Sequence, residues 1–410
     1  MIRIILLSLV LLFSIISENI AGSSSEESYR RKAERIHRKV LVLDSHTDTP
    51  LRMMRSDFDI SMRNDPRKQG GKLDFPRMVE GGLDAAFFAV FLGQSELNAE
   101  AYETAKRRAL EIFDLIHKAL QKHPEMARLA LKPYDAYRLE KQRKRAIFIG
   151  LENAYPLGED ISMVEEFYNL GTRYITLSHT RNNQVSDSST DPDGPLHNGL
   201  SDFGRNVIRE MNRLGMMVDV SHISDKAFYD VLEITKAPVI ASHSNARAIC
   251  NDPRNLDDNM LRALAKNGGV IQLSILSSYV KNMPPYPQRD SALGDLRLRY
   301  NNFENLTDDQ LNEVRQQWDE ITRKFPAPMA TVADLVDHID HIVNLIGIDY
   351  VGIGTDFDGG GELEDCYHVT ELGNITLELV RRGYRKKDIE KIWGGNFMRV
   401  FRDNAKIAGH

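Results

Sequence analysis

The stretch Val40-Leu41-Val42-Leu43-Asp44-Ser45-His46-Thr47-Asp48 decides how this chain is read. Four apolar residues give a short buried-strand pattern, and the run then stops in polar residues. Residues i and i+2 of an extended chain point to the same side, so His46 and Asp48 leave the strand end together. An imidazole and a carboxylate placed that way suit a metal ion. A single His-x-Asp pair carries little weight, because it occurs by chance. The weight comes from recurrence of the same device along the chain.

Outward from that stretch, apolar runs alternate with helical patterns. Further strands are expected at 84–91, 146–151, 174–177, 216–220, 238–241, 270–275 and 350–354. Helices are expected between them at 99–122, 162–170, 203–214, 225–235, 257–266 and 331–346, with two closing helices at 370–382 and 387–403. Residues 278–328 interrupt the rhythm with Pro, Asn and charge. They hold one expected helix, 307–323, whose Thr307-x-x-Gln310 start has the form of a capping box. Eight strands alternating with helices predict an α/β fold, a (β/α)8 TIM-type barrel with insertions. An open doubly wound sheet is the competing pattern. No Gly-x-Gly-x-x-Gly follows the first strand, which counts against a dinucleotide fold.

The chain has 410 residues, ample for one large domain. Its 53 basic and 59 acidic residues give a net charge of −6, with no basic block that would favour nucleic acid. Arg3, the apolar run from Ile4 to Ile16 and the small residues Ala21-Gly22-Ser23 match a secretory signal peptide over 1–22. The run is too short to span a bilayer comfortably. An exported protein follows, secreted or periplasmic, with a flexible lead-in at 23–34 and a catalytic domain at 35–410 that carries the 278–328 insertion. The two cysteines, Cys250 and Cys366, form no Cys-x-x-Cys pattern. Residues 404–410 lack a hydrophobic tail, so no lipid anchor is expected. Asn305 and Asn374 begin glycosylation sequons.

The polar residues that close the strands form a pattern of their own. His46 with Asp48, then Glu152, His179, His222, His243 and Asp356 each fall at the C-terminal end of an expected strand. In a barrel those ends open on one face, where active sites form. Six of the eight strands therefore deliver an imidazole or a carboxylate to one mouth. Left unpaired, so many ionisable groups lose solvation or repel. One or two divalent cations resolve this, and imidazoles with carboxylates suit Zn²⁺, Mn²⁺, Fe²⁺ or Co²⁺ better than Ca²⁺. Glu152 has two oxygens and is the natural bridge. His46 with Asp48 can hold one ion and His222 with His243 the other. Two such ions share a water and make it a hydroxide near neutral pH. His338 and His341, three apart on a helix, read as ordinary helix residues rather than a zinc pair.

Longer passages carry a resemblance. They are Leu43-Asp44-Ser45-His46-Thr47-Asp48, Gly150-Leu151-Glu152-Asn153, Leu177-Ser178-His179-Thr180, the run from Gly199 through Arg209-Glu210-Met211-Asn212 to Val218-Asp219-Val220-Ser221-His222, Ser242-His243-Ser244-Asn245-Ala246-Arg247, Pro253-Arg254-Asn255 and Gly352-Ile353-Gly354-Thr355-Asp356-Phe357-Asp358-Gly359, closed by Gly394-Gly395-Asn396-Phe397. In this order, over about residues 35 to 405, the chain resembles the renal (membrane) dipeptidase family of binuclear zinc peptidases, family M19.

The resemblance implies a hydrolase that cleaves dipeptides with two Zn²⁺ per subunit, by attack of a metal-bridging hydroxide. It implies His46, Asp48, Glu152, His222 and His243 as metal ligands, with Glu152 also in the catalytic set. It further implies that Asp356 moves protons, that His179 steadies the oxyanion, and that Arg254 pairs with the free carboxylate of the substrate. A homodimer is implied as well. The mammalian membrane forms carry several disulfides and a lipid anchor, and this chain departs from both features. Another amidohydrolase-type reaction on lactones, phosphoesters or amino groups is the alternative. Those relatives begin with His-x-His on the first strand and often use a modified bridging Lys, where this chain has His-x-Asp and Glu152.

Overall fold

The computed structural model describes residues 25–67, 70–300 and 306–409. The expected signal peptide at 1–22 and the sequon residue Asn305 lie outside them. The described residues form nine parallel strands: β1 (Leu43–Thr47), β2 (Ala85–Phe91), β3 (Ala127–Leu129), β4 (Arg145–Glu152), β5 (Thr172–Thr176), β6 (Met217–Asp219), β7 (Ile240–Ala241), β8 (Val270–Leu273) and β9 (Val351–Ile353). Their order is β1-β2-β4-β5-β6-β7-β8-β9, with the short β3 paired to the start of β4. The segment after β9 returns to β1. Asp356 N donates to His46 O (3.0 Å) and Asp48 N to Phe357 O (2.8 Å). That return makes the sheet a nearly closed eight-stranded barrel and excludes the open doubly wound alternative.

Alternation along each strand sorts the side chains into two cores. Val42, Phe88, Val90, Ile147, Ile149, Leu151, Val218 and Ile271 pack outward against the helices. Leu43, Ala85, Phe87, Ala146, Phe148, Tyr174, Met217, Ile240 and Val270 fill the interior with Phe397 and Phe401. These last two come from the closing helix Asn396–Ile407, whose Phe397 and Phe401 rings meet Phe87 edge-on at 5.1 and 6.3 Å. That helix plugs the end of the barrel opposite the strand ends.

The sequence places β1 at 40–43, but the strand runs over Leu43–Thr47. The polar residues join it because their groups are satisfied inside the barrel. Ser45 Oγ donates to Ser242 O (2.8 Å), and His46 N donates to Asp44 Oδ1 (3.2 Å). A register shift against β2 lies between Asp44 and Thr47. The lead-in expected to be flexible at 23–34 is helical from residue 25. Arg30 and Arg31 pair with Glu26 and Glu27 one turn earlier, and Ala33 and Ile36 are buried. Within 278–328 the structure has the helices Ser277–Val280, Pro287–Arg299 and Asp308–Lys324. The last starts with the Thr307–Gln310 capping box. The middle one buries only Leu296, so it leaves almost no periodic apolar signal.

His338 is no surface residue of its helix. It is fully buried, accepting from Ala246 N at Nδ1 (3.1 Å) and facing Val280 O with Nε2 (2.8 Å). Burial pushes its pKa down to about 4. A histidine depressed in the fold and near 6.5 when unfolded contributes stability that is present above pH 6.5 and lost as pH falls toward 4. Chemical denaturation between pH 7 and pH 4 is expected to show His338→Gln losing less stability on acidification than wild type, by up to about 3 kcal/mol. Parallel acid limbs for the two proteins would contradict this.

Candidate active site

Each candidate side chain enters the mouth from a strand end or the first residues after it. His46 lies within β1, and Asp48 follows it. Glu152 ends β4 on the inward parity of Ala146, Phe148 and Gly150. His179 lies three residues beyond β5, His222 three beyond β6, His243 two beyond β7 and Asp356 three beyond β9. Several of these turns use left-handed backbone. His222 has φ 72°, Asp356 φ 61° and Asn153 φ 77°. Conformations that non-glycine residues rarely adopt cluster where a fold must aim a side chain.

Glu152 is the centre. Its Oε2 lies 3.4 Å from His46 Nε2, while Oε1 lies 3.2 Å from His222 Nε2, 3.4 Å from His243 Nε2 and 3.7 Å from His179 Nε2. The two oxygens thus face two different histidine sets. Asp48 Oδ2 is 3.6 Å from His46 Nε2. Nitrogens or oxygens of three overlapping trios lie within 4.8 Å of one another: His46, Glu152 and His243; Glu152, His179 and His222; His46, Asp48 and Asp356. The sequence-predicted residues therefore share one cage.

Electrostatics agree with a site built for cations. Burial opposes the Glu152 charge, but the imidazoles of His46, His222 and His243 facing it outweigh burial and hold the carboxyl well below the usual range. Burial pushes His222 and His243 well below the ordinary imidazole value and His179 down to about 4, which leaves lone pairs free. Burial, then the neighbouring Glu152 charge, lifts Asp48 to about 6. Burial and the charge on Asp48 raise Asp356 well above the usual carboxylate range. His46 Nε2 and Asp48 Oδ1 are buried and have no hydrogen-bond partner. Nitrogen and carboxylate donors without thiolate, two of them orphaned inside a buried cage, fit borderline divalent metals.

Arg254 lies beside the cage. It is 3% exposed, its Nη2 donates to His243 O (3.1 Å), and its guanidinium stands 5.3 Å from the Tyr279 ring centre. Its Nε is buried and has no hydrogen-bond partner. His179 packs against Phe91 and His222, with ring centres 4.7 and 4.2 Å away. Of the two aspartates in 354–360, only Asp356 faces the cage. Asp358 accepts from Thr49 Oγ1 (2.8 Å) and Lys72 N (2.8 Å) and shapes the loop. His197 faces Asn183 O and His341 faces Asp258, so neither joins the site.

Sequence reasoning missed several contributors. Asp44 accepts from His46 N and from Thr355 N (2.8 Å), tying β1 to the loop that carries Asp356. Gly359 has no room for a side chain. A Cβ there would stand 2.0 Å from Asp48 Oδ2 and 2.3 Å from Asp356 Oδ1. Asp44 stands two residues before His46 as Asp219 stands three before His222, and that echo was the available signal. Nothing in the sequence marks Gly359, since its constraint is a contact across the mouth.

The family profile described as membrane dipeptidase (peptidase family M19) matches residues 30–410. The chain is 32% identical over 373 residues to dipeptidase tcpJ of Claviceps purpurea (strain 20.1), covering 89% of this chain and 77% of that one. It is 30% identical over 398 residues to dipeptidase 3 of Homo sapiens, covering 94% and 70%. Among solved structures, the probable dipeptidase PvdM from Pseudomonas aeruginosa superposes with a TM-score of 0.81 at 30% identity, covering 93% of this chain and 99% of that one.

Proposed function

The chain belongs to the membrane dipeptidase family, peptidase family M19, and from that premise we propose that it is a zinc-dependent dipeptidase with two ions per subunit. The observation that carries the metal reading is the division of the Glu152 carboxylate, one oxygen toward His46 and the other toward His222 and His243. His46 and Asp48 would hold one ion and His222 and His243 the other, with Glu152 offering one oxygen to each set. A zinc pair there would supply Lewis acidity and would acidify a nearby water enough to make it a nucleophile for the peptide carbonyl near neutral pH.

The residues divide the remaining work. Asp356, kept prone to protonation by burial and by Asp48, takes the water's proton and returns it to the leaving amine. His179, neutral at pH 7, offers an imidazole N–H to the oxyanion. Arg254 receives the substrate's free carboxylate with its unpartnered donor. That contact limits the substrate to two residues, because a longer peptide has no carboxylate at that distance.

A panel of dipeptides, lactones and phosphotriesters, assayed after chelation and again after zinc is restored, tests the proposal. Hydrolysis should be confined to dipeptides, disappear with the metal and return with it. Equal turnover of lactones, or turnover indifferent to chelation, would overturn it. For Arg254→Met, KM for dipeptides should rise about 10–100-fold, the worth of one charge-assisted pair. Dipeptide amides, which lack the carboxylate, should respond much less in the same steady-state assay.

The apolar run of residues 4–16 supports export through a signal peptide. Among the described residues no helix is long and apolar enough to cross a membrane. Residues 35–410 form the catalytic unit in this reading, with 278–328 as an insertion on the loop after β8. The resemblance to the family favours a homodimer.

A further inference from the structure

Beneath the cage lies a layer of polar groups inside the barrel. Thr176 on β5, Asp219 on β6 and Ser242 just after β7 all meet there. Thr176 Oγ1 and Ser242 Oγ both donate to Asp219 Oδ2 (2.6 Å each), and the backbone N–H groups of Ser221 (3.1 Å) and Ser242 (2.9 Å) donate to Oδ1. All three side chains are fully buried. Ser242 Oγ also lies 2.8 Å from His243 Nδ1. A hydroxyl has one proton. Ser242 gives it to Asp219, so its oxygen is left to accept Nδ1–H from His243.

A second contact has the same logic. Tyr174 Oη donates to Ser45 O (3.3 Å) and lies 2.9 Å from His46 Nδ1. A backbone carbonyl only accepts, so the phenol oxygen is left for the His46 Nδ1–H. Gly150 on β4 makes this reach possible. A Cβ there would stand 2.2 Å from the Tyr174 ring. His222 differs, for its Nδ1 is buried without a partner.

We propose that Tyr174 and the Ser242–Asp219 pair are positioning residues that lock His46 and His243 in the Nδ1–H tautomer, with both Nε2 lone pairs turned into the cage, where a cation would lie between them and Glu152. The inference rests on the metal reading above and adds its means of control. A metal-bound imidazole needs an unprotonated nitrogen toward the ion, and the group behind the ring fixes which nitrogen that is. The serine is a relay whose direction depends on the aspartate. Replacing Asp219 by Asn puts an NH₂ where Oδ2 was, if its carbonyl keeps the two backbone donors. The Ser242 hydroxyl then turns toward His243 Nδ1, and the proton moves to Nε2, where it blocks the metal.

Zinc affinity is measured on the full-length protein by competition with a chromophoric chelator, together with the melting of the metal-free protein. Wild type is measured first, and its failure to bind zinc would sink the metal reading itself. Ser242→Ala and Tyr174→Phe should weaken zinc binding about 10–100-fold, the usual effect of losing such support. Asp219→Asn should weaken it more than Ser242→Ala, and Ser242→Thr should restore it to within a few-fold. Ring ¹⁵N shifts of the zinc-loaded wild type should show Nδ1 protonated in His46 and His243. Affinity unchanged in Ser242→Ala and Tyr174→Phe, or Nε2 protonation in wild type, would overturn the proposal. If Asp219→Asn does not fold, the Ser242→Ala result decides for the relay.

Discussion

Glu152→Gln should lose both bound metal and nearly all activity while the barrel stays folded. The substitution preserves size and removes charge. It also replaces one of two acceptor oxygens with an NH₂ group, facing either His46 on one side or His222, His243 and His179 on the other. No rotamer restores both contacts. One metal position always loses its shared oxygen, the other keeps only a neutral amide oxygen, and the attraction between the carboxylate and His46 is gone. If the ions supply about 5 kcal/mol of transition-state stabilisation, kcat/KM falls roughly 10⁴-fold. Metal analysis after dialysis, read with dipeptide kinetics, checks this. A Glu152→Gln protein with two ions per chain and more than about a tenth of wild-type kcat/KM, a loss worth under 1.4 kcal/mol, would refute the bridging role.

The second large effect belongs to Asp356. Asp356→Asn should keep both ions, bind dipeptides with KM near wild type, and lose kcat by about 10²–10⁴-fold, the range for a positioned proton carrier. The backbone helps this experiment. Asp356 sits at φ 61°, and Asn is among the residues that tolerate that region best, so the loop should not be disturbed. Asn has the shape of Asp, so the close approach of residue 356 to Gly359 is kept. The change therefore removes proton transfer and little else. Metal content, KM and kcat measured on one preparation distinguish a proton carrier from a ligand. Loss of an ion would move Asp356 into the ligand set, and an unchanged kcat would remove it from the chemistry.

The sequence reveals the barrel because its signal is local. Apolar runs such as Ala146–Leu151 are buried on both faces, and the polar residue that ends each run marks the mouth. The cage was legible for the same reason, since one residue type recurs at one place in the repeat. The layer below it was not. Asp219 and Ser242 meet only when β6 pairs with β7, and Tyr174 reaches His46 only across the barrel, so each alone reads as an ordinary strand or turn residue. Boundaries failed where backbone groups are satisfied across the barrel, as at Asp44 to Thr47. The three-residue β3 and the helix Pro287–Arg299 offer too few buried positions for a period to show. Arg254 came only from the family resemblance, because nothing local separates it from other arginines on loops.

The plug formed by Asn396–Ile407 has a bearing on biosynthesis. Phe87 and Phe148 emerge from the ribosome early, yet the aromatic rings that cover them, Phe397 and Phe401, belong to a segment made long after both strands. A nascent chain can pair its strands in the order of translation, but its floor stays open until Asn396–Ile407, which follows the last strand, has been made. The order of manufacture and the order of final assembly are therefore not the same, and the late helix works as a latch on an otherwise finished cylinder.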